Sequence, residues 1–308
     1  MVKKILNFFH SIVFNTFDSP PFILFSKILF GNLAGFRNNF YGRCHLLIAK
    51  WMNFFSKETK IDKIYENIAN EIHDRGFSYL PFKLDGNLIK EMNKKSKKIE
   101  NNLPFVNDCY KTLILHENKI LANDLKKLFS KKITSILEAY YGCGFRLTKA
   151  QKKISYYIDV NKLKGAEVYS DHWHTDSSPY SMLGIFILMD KTTEKNGPMK
   201  ILNMKNTKKF IRAGFQRKKN FYKSFLCSEE KLTSMNIELE KKEISTKFTG
   251  DVGNVLICRI SSCLHRATIP NVGYDRKMMI VHTFPTKGKT IKNKFGRSYI
   301  EKFTHHVS

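Results

Sequence analysis

The sequence predicts a mainly β domain, a sandwich or jelly roll, with helices ahead of the strands. Three observations carry this. After Gly144, short β-rich runs alternate with Gly/Pro turn residues. Before it, two stretches space apolar side chains three and four apart, as a helix face requires. The composition, 42% hydrophobic with 25 Phe and 13 Tyr in 308 residues, supplies enough apolar surface for a large core and excludes a disordered chain.

The elements follow in chain order. Residues 1–58 are apolar and basic, with Pro20-Pro21 inside, and are expected to form an N-terminal helical extension. Within them Ile5, Leu6, Phe9, Ile12, Val13 and Phe17 share one helical face. Such a basic, Phe-rich face either packs on its own domain, the favoured expectation, or lies on a membrane surface. Asn7, His10 and Ser11 interrupt the pattern of a secretory leader, and no run of 18 apolar residues is present. The main domain is expected over 59–308. Ile61, Ile64, Ile68 and Ile72 mark a helix that Gly76 ends, and Phe77–Phe82 reads as a strand. A single long helix is expected over about 120–141, burying Leu121, Leu125, Leu128, Ile133, Ile136, Leu137 and Tyr140. The expected strands are Lys153–Val160, Ala166–His172, Leu183–Met189, Pro198–Leu202, Asn254–Ile260 and Lys277–Phe284. Turns fall at Asn196-Gly197-Pro198, Gly250–Gly253 and Pro270–Gly273. The segment of about 203–248 reads as an insertion, helical around 228–242, and the Lys-rich stretch 286–302 as surface.

With 53 Lys+Arg against 27 Asp+Glu, the formal net charge is +26. A field of that sign attracts anionic substrates, lipid headgroups or nucleic acid. The charge is spread: residues 1–60 carry net +6 and 203–248 net +7. Without a long basic arm, the charge reads equally as a Lys-rich solvated surface; the expected partner is a small-molecule substrate, for which an anionic one is compatible, and nucleic acid is not expected. The basic, aromatic segment with Arg212, Arg217, Lys218, Lys219 and Tyr222 reads first as a solvated face, as do Lys149, Lys152 and Lys153. None of the six cysteines forms a C-x-x-C pair, which argues against a structural zinc knuckle and suits a reducing, cytoplasmic compartment.

The chemistry concentrates in Asp171-His172-Trp173-His174-Thr175-Asp176. His174 and Asp176, two apart, project to one side of an extended chain. A third ligand has to come from a distance, and His265, following the strand Asn254–Ile260, qualifies. Two imidazoles and one carboxylate make a facial triad that suits Fe(II) and leaves the opposite face open to a co-substrate and O2. Arg276 follows 11 residues later, where a returning strand would carry its guanidinium into the same barrel. Its fork suits the distal carboxylate of 2-oxoglutarate better than a lysine would. Of Tyr156 and Tyr157, which alternate, one is expected to face inward. Trp173 is expected in the core and His282 in the core or pocket lining.

The string His174-x-Asp176, Asn196-Gly197-Pro198, Gly250-Asp251, His265-Arg266 and Arg276 resembles the phytanoyl-CoA dioxygenase family, over about residues 61–285. That resemblance implies a double-stranded β-helix (jelly roll, cupin-like) core. It implies His174, Asp176 and His265 as catalytic metal ligands for Fe(II), with Arg276 on 2-oxoglutarate. Tyr157, from the alternation above, and Thr268 are expected as further residues near the co-substrate. It implies hydroxylation of a small-molecule, lipid-like or carrier-linked substrate, with succinate and CO2 released. The sequence departs from the family where Leu202-Asn203-Met204-Lys205 follows the Gly-Pro turn and where Ala267 stands two after the distal histidine. Two rivals remain. A metal-dependent cupin enzyme would use His172, His174 and His265 without 2-oxoglutarate. A non-catalytic basic module would bind nucleic acid or membrane.

Overall fold

The structure is a computed structural model of the 308-residue chain. It describes residues 62–106, 109–159, 173–176, 182–212, 234–235, 237–239 and 244–285. The expectations for residues 1–58, the strand Ala166–His172, His172 itself, Arg217, Lys218, Lys219, Tyr222 and the stretch 286–302 lie outside the described residues.

Helix α1 spans Lys63–Arg75, strand β1 Phe77–Tyr79, helix α2 Gly86–Asn101 and strand β2 Tyr110–Ile114. Helices α3 (Lys119–Leu128) and α4 (Lys131–Tyr141) follow, then the long strand β3 (Phe145–Tyr156) and strand β4 (Leu183–Leu188). The chain continues through β5 (Met199–Leu202), α5 (Met204–Arg212), β6 (Ser245–Phe248), β7 (Val255–Cys258), β8 (His265–Ala267) and β9 (Asp275–Pro285). Six strands form one sheet in the order β1-β7-β4-β9-β3-β2, and three form a second in the order β6-β5-β8, every pairing antiparallel. The predicted jelly roll is the observed architecture: two facing sheets with helices against the outside of the larger one.

Alternation along the strands sorts two cores. On β9, Met279 and Val281 point outward and join Ile72, Ile89, Leu125, Ile136 and Tyr141 of the helices. Met278 and Phe284 point inward and meet Met199, Ile201 and Phe248 of the small sheet. A third cluster gathers Trp173, Leu202, Phe210, Met235, Leu239 and Leu264, so Trp173 is a core residue as expected.

Several boundaries differ from the expectation. The stretch 120–141 is two helices, because Phe129 leaves helical geometry and Ser130 starts a new first turn, its carbonyl accepting the Thr134 amide. The apolar spacing runs on across this break, which hides it. Strand β3 begins at Phe145, eight residues early, and stops at Tyr156. Helix α2 and strand β2 were not foreseen; α2 is dominated by lysines, with only Ile89 and Met92 as large buried apolar side chains, and β2 is only five residues long. The last four residues of 203–248 are strand β6 of the small sheet, and α5 opens the same segment.

Lys152 and Lys153 are not a solvated edge. Lys152 is buried on the outward face of β3, where its ammonium donates to Glu100 at 2.6 Å, Asn93 Oδ1 at 2.6 Å and Ser96 Oγ at 3.1 Å. Those three partners lie on α2, so the cluster pins that helix to the sheet. Burial costs a charge several kcal/mol, and the hydrogen-bonded pair offsets it. Lys153, one residue on, points to the opposite, inner face and is also buried.

At the end of α1, Gly76 takes φ 87°, and its amide donates to Ile72 O. A Cβ there would collide with Cys263 Sγ and Met204 Cγ, so both the left-handed turn and the close approach demand glycine. Among the described residues no helix is long and apolar enough to cross a membrane. The described cysteines Cys109, Cys143, Cys258 and Cys263 are buried and form no disulfide with one another.

Candidate metal centre

Residues 173–176 run as an added edge beside β8. His174 and His265 exchange backbone hydrogen bonds, at 3.0 and 2.9 Å, and the Asp176 amide donates to Ile260 O at 3.0 Å. A directly opposed pair in an antiparallel ladder places both side chains on one face. Ile201 of β5, the residue opposite His265 on the other side, belongs to the inner core, so that face is the interior of the barrel. Asp176, two residues after His174, returns to the same side.

The three side chains converge. Asp176 Oδ1 lies 3.4 Å from His174 Nε2 and 3.6 Å from His265 Nε2, and one ligand atom from each residue falls within 4.8 Å of the others. The imidazole centroids are 4.4 Å apart. Both histidines are buried, while Asp176 keeps its side chain 23% exposed. Burial alone would raise the Asp176 carboxyl; contact with the two imidazoles outweighs it and holds the group well below the usual carboxylate range.

The donor set passes a chemical test for a metal ion. Cys263 O can only accept a hydrogen bond, so the 3.0 Å contact to His265 Nδ1 puts the proton on Nδ1. The Nε2 lone pair is then left aimed at the convergence point, the tautomer that a metal needs. Two imidazoles and a carboxylate on one side suit a divalent first-row cation with open positions opposite.

Arg276 sits where the sequence places it, inward at the start of β9. It is buried, NH1 donating to Thr268 O at 3.0 Å and NH2 to Ser155 Oγ at 3.2 Å. Burial pulls its pKa down to about 10. Among the described residues it forms no ion pair with a carboxylate. A small, partly open pocket ends against it. Its other walls include Tyr110, Lys153, Ser155 and the loop Thr268–Pro270. Gly197 makes room for that loop: at φ 65° it would carry a Cβ into the Ile269–Pro270 backbone.

The remaining site expectations divide. Thr268 lines the cleft, but its hydroxyl donates to Pro198 O at 2.7 Å and its carbonyl holds Arg276. Tyr157 is exposed and lies past the end of β3; it is Tyr156 that joins the cleft wall. His282 faces inward on β9 and is half-buried. Sequence reasoning missed Lys153, whose ammonium lies 4.1 Å from the Tyr110 ring centroid, and Ser155. The signal was available: Lys153 and Ser155 share the period-two face of a strand whose alternate residues Ala150 and Ile154 are core.

No family model and no curated protein sequence matches the chain. Solved structures do. The structure of EctD from S. alaskensis with 2-oxoglutarate and 5-hydroxyectoine aligns with TM-score 0.52 at 10% identity, covering 80% of this chain and 86% of the other. The same protein with bound Fe gives 0.51, also at 10% identity and with the same coverage. The epimerase SnoN, in complex with Fe3+, alpha ketoglutarate and nogalamycin RO, gives 0.51 at 10% identity over 72% of this chain and 83% of the other. At these identities the likeness is one of fold, and it establishes the jelly roll with flanking helices as a scaffold that in those proteins holds iron and 2-oxoglutarate.

Proposed function

We propose that the protein is a non-haem Fe(II)/2-oxoglutarate-dependent dioxygenase that hydroxylates a small-molecule substrate. The observation that carries this is the convergence of His174, Asp176 and His265 on the barrel interior, which the buried guanidinium of Arg276 faces from the larger sheet. Iron(II) held by those three side chains would supply, with 2-oxoglutarate and O2, oxidative decarboxylation to succinate and CO2 coupled to hydroxylation of a C–H bond.

The chain's own residues divide the remaining work. Asp176 is held ionised beside the two imidazoles and offers a charged oxygen to a cation. The Cys263 carbonyl holds the His265 tautomer and ring orientation. Arg276, fixed from both sides by Thr268 O and Ser155 Oγ, presents its fork to the distal carboxylate of the co-substrate, and Lys153 adds a second cation to the same cleft. The apolar inner core between the sheets excludes water from the closed end of the barrel.

Asp176 favours this reading over the cupin alternative, because it meets both imidazoles through one oxygen rather than standing apart from them. The test is succinate formation by protein loaded anaerobically with Fe(II), then given 2-oxoglutarate and O2 with pools of candidate substrates. Succinate above the level of an Arg276→Ala variant is the expected result; equal levels under every pool would overturn the proposal.

A further inference from the structure

The inner face of β3 is polar along its length. Ala150, Lys152 and Ile154 point outward, into the helix-facing core or onto α2, so Lys149, Gln151, Lys153 and Ser155 point between the sheets. Register sets each beside an inward residue of β9: Ser155 by Arg276, Lys153 by Met278, Gln151 by Ile280 and Lys149 by His282. Burial changes midway. The first two pairs are buried; the last two are half-exposed. Ile280 packs against the inner core yet stays partly open, so free space adjoins it. The lining between the sheets is therefore more exposed toward Lys149 than around Arg276, where the small pocket lies.

His174, Asp176 and His265 face this space from the small-sheet side. Strand alternation alone sets the direction of the two outer polar groups on β3. The Gln151 amide forms no hydrogen bond, and the Lys149 ammonium no ion pair, with any described residue.

We infer that Lys149 and Gln151, with Ile280 beside them, form the substrate wall of the site, and that the substrate is a small molecule carrying a carboxylate, phosphate or sulfate that Lys149 pairs with. Gln151, one pair nearer the Arg276 end, hydrogen-bonds a polar group of the same molecule, and Ile280 packs against its carbon skeleton. This rests on the metal reading above, which sets the reacting end of the substrate at His174, Asp176 and His265. Lys149 acts on specificity: it selects the molecule and takes no part in the chemistry.

The test needs no turnover. Protein loaded with Mn(II) and 2-oxoglutarate is titrated with phenylphosphonate, and the paramagnetic enhancement of 31P relaxation reports binding close to the metal. Benzyl alcohol, followed by its protons, is the uncharged counterpart. The expected result is a saturable 31P enhancement whose half-saturation rises at least tenfold in both Lys149→Met and Lys149→Gln. It should return in Lys149→Arg and stay unchanged in Lys90→Met, which alters an exposed lysine of α2. Direct coordination of the phosphonate to Mn(II) would not depend on residue 149. Half-saturation within twofold of wild type in both neutral variants overturns the inference, as does a wild-type protein that binds Mn(II) but shows no enhancement. Equal sensitivity of benzyl alcohol to the substitutions would also overturn it. A wild-type protein that takes up no Mn(II) sinks the metal reading, and this inference with it.

Discussion

Replacing Arg276 with Met separates binding from stability. The guanidinium is 3% exposed and bound only by a carbonyl at 3.0 Å and a hydroxyl at 3.2 Å, with no carboxylate to balance it among the described residues. Burial already pulls its pKa down to about 10, the mark of a charge the fold tolerates rather than welcomes. Met keeps the length and removes the charge. Losing two hydrogen bonds, with Thr268 O left short of a donor, costs about 1–3 kcal/mol. Relief of a buried, unbalanced charge returns about as much, since apolar replacement of buried ions is often neutral or stabilising by about 1–4 kcal/mol. The ligand-free protein should thus unfold within about 1 kcal/mol of wild type. Binding is different: a buried carboxylate that loses its cation costs about 2–5 kcal/mol, and about 3 kcal/mol corresponds to roughly a hundredfold in Kd. Calorimetric titration of the Zn(II)-loaded variant with 2-oxoglutarate, beside urea unfolding of the metal-free protein, measures both. Affinity within threefold of wild type would refute the role of Arg276. Destabilisation by more than about 3 kcal/mol would refute the charge-relief argument.

Three further outcomes are expected. Asp176→Ala should bind Fe(II) or Zn(II) at least a hundredfold more weakly by dialysis and metal analysis while keeping its circular dichroism; near-stoichiometric metal would favour a ligand set without this carboxylate. Lys152→Met should lose about 3–5 kcal/mol in urea unfolding, because Glu100 stays buried without its cation, and the double variant Lys152→Met/Glu100→Leu should recover most of it. Burial, partly offset by Glu100, holds the Lys152 pKa below the ordinary lysine value, so the unfolded chain binds more protons between the two values. Its contribution should rise with pH across that window, and the slope should vanish in Lys152→Met. Gly76→Ala should destabilise by about 1–3 kcal/mol through the left-handed φ alone, with more from the collision with Cys263 Sγ. Since Cys263 O orients His265, metal affinity should fall as well; a variant with unchanged metal affinity would uncouple the turn from the site.

How much was legible in the sequence depended on how local each signal is. The strands Leu183–Leu188 and Met199–Leu202 and the glycine that ends α1 are written in apolar runs and turn residues a few positions long, and they stand close to where they were expected. The break at Ser130 was not legible, because Leu128 and Ile133 keep helical spacing across it while only the backbone at Phe129 departs. Strand β3 starts ahead of the expected Lys153 and takes in Lys149, which reads as a solvated face in sequence; pairing with His282 of β9, 133 residues away, makes it strand.

The same division runs through the site. Residue type and spacing determined that His174, Asp176, His265 and Arg276 were the candidates, because metal and carboxylate chemistry restrict which side chains can serve. Only the tertiary structure decided that β8 lies beside residues 173–176, which turns a separation of 91 positions into a directly opposed pair. It also decided that Lys152 and Lys153, adjacent and chemically identical, go to opposite faces, one bound to a helix and the other to a ligand cleft. A charged side chain in sequence carries no mark of burial; burial is fixed by which strands pair, and that depends on the whole chain.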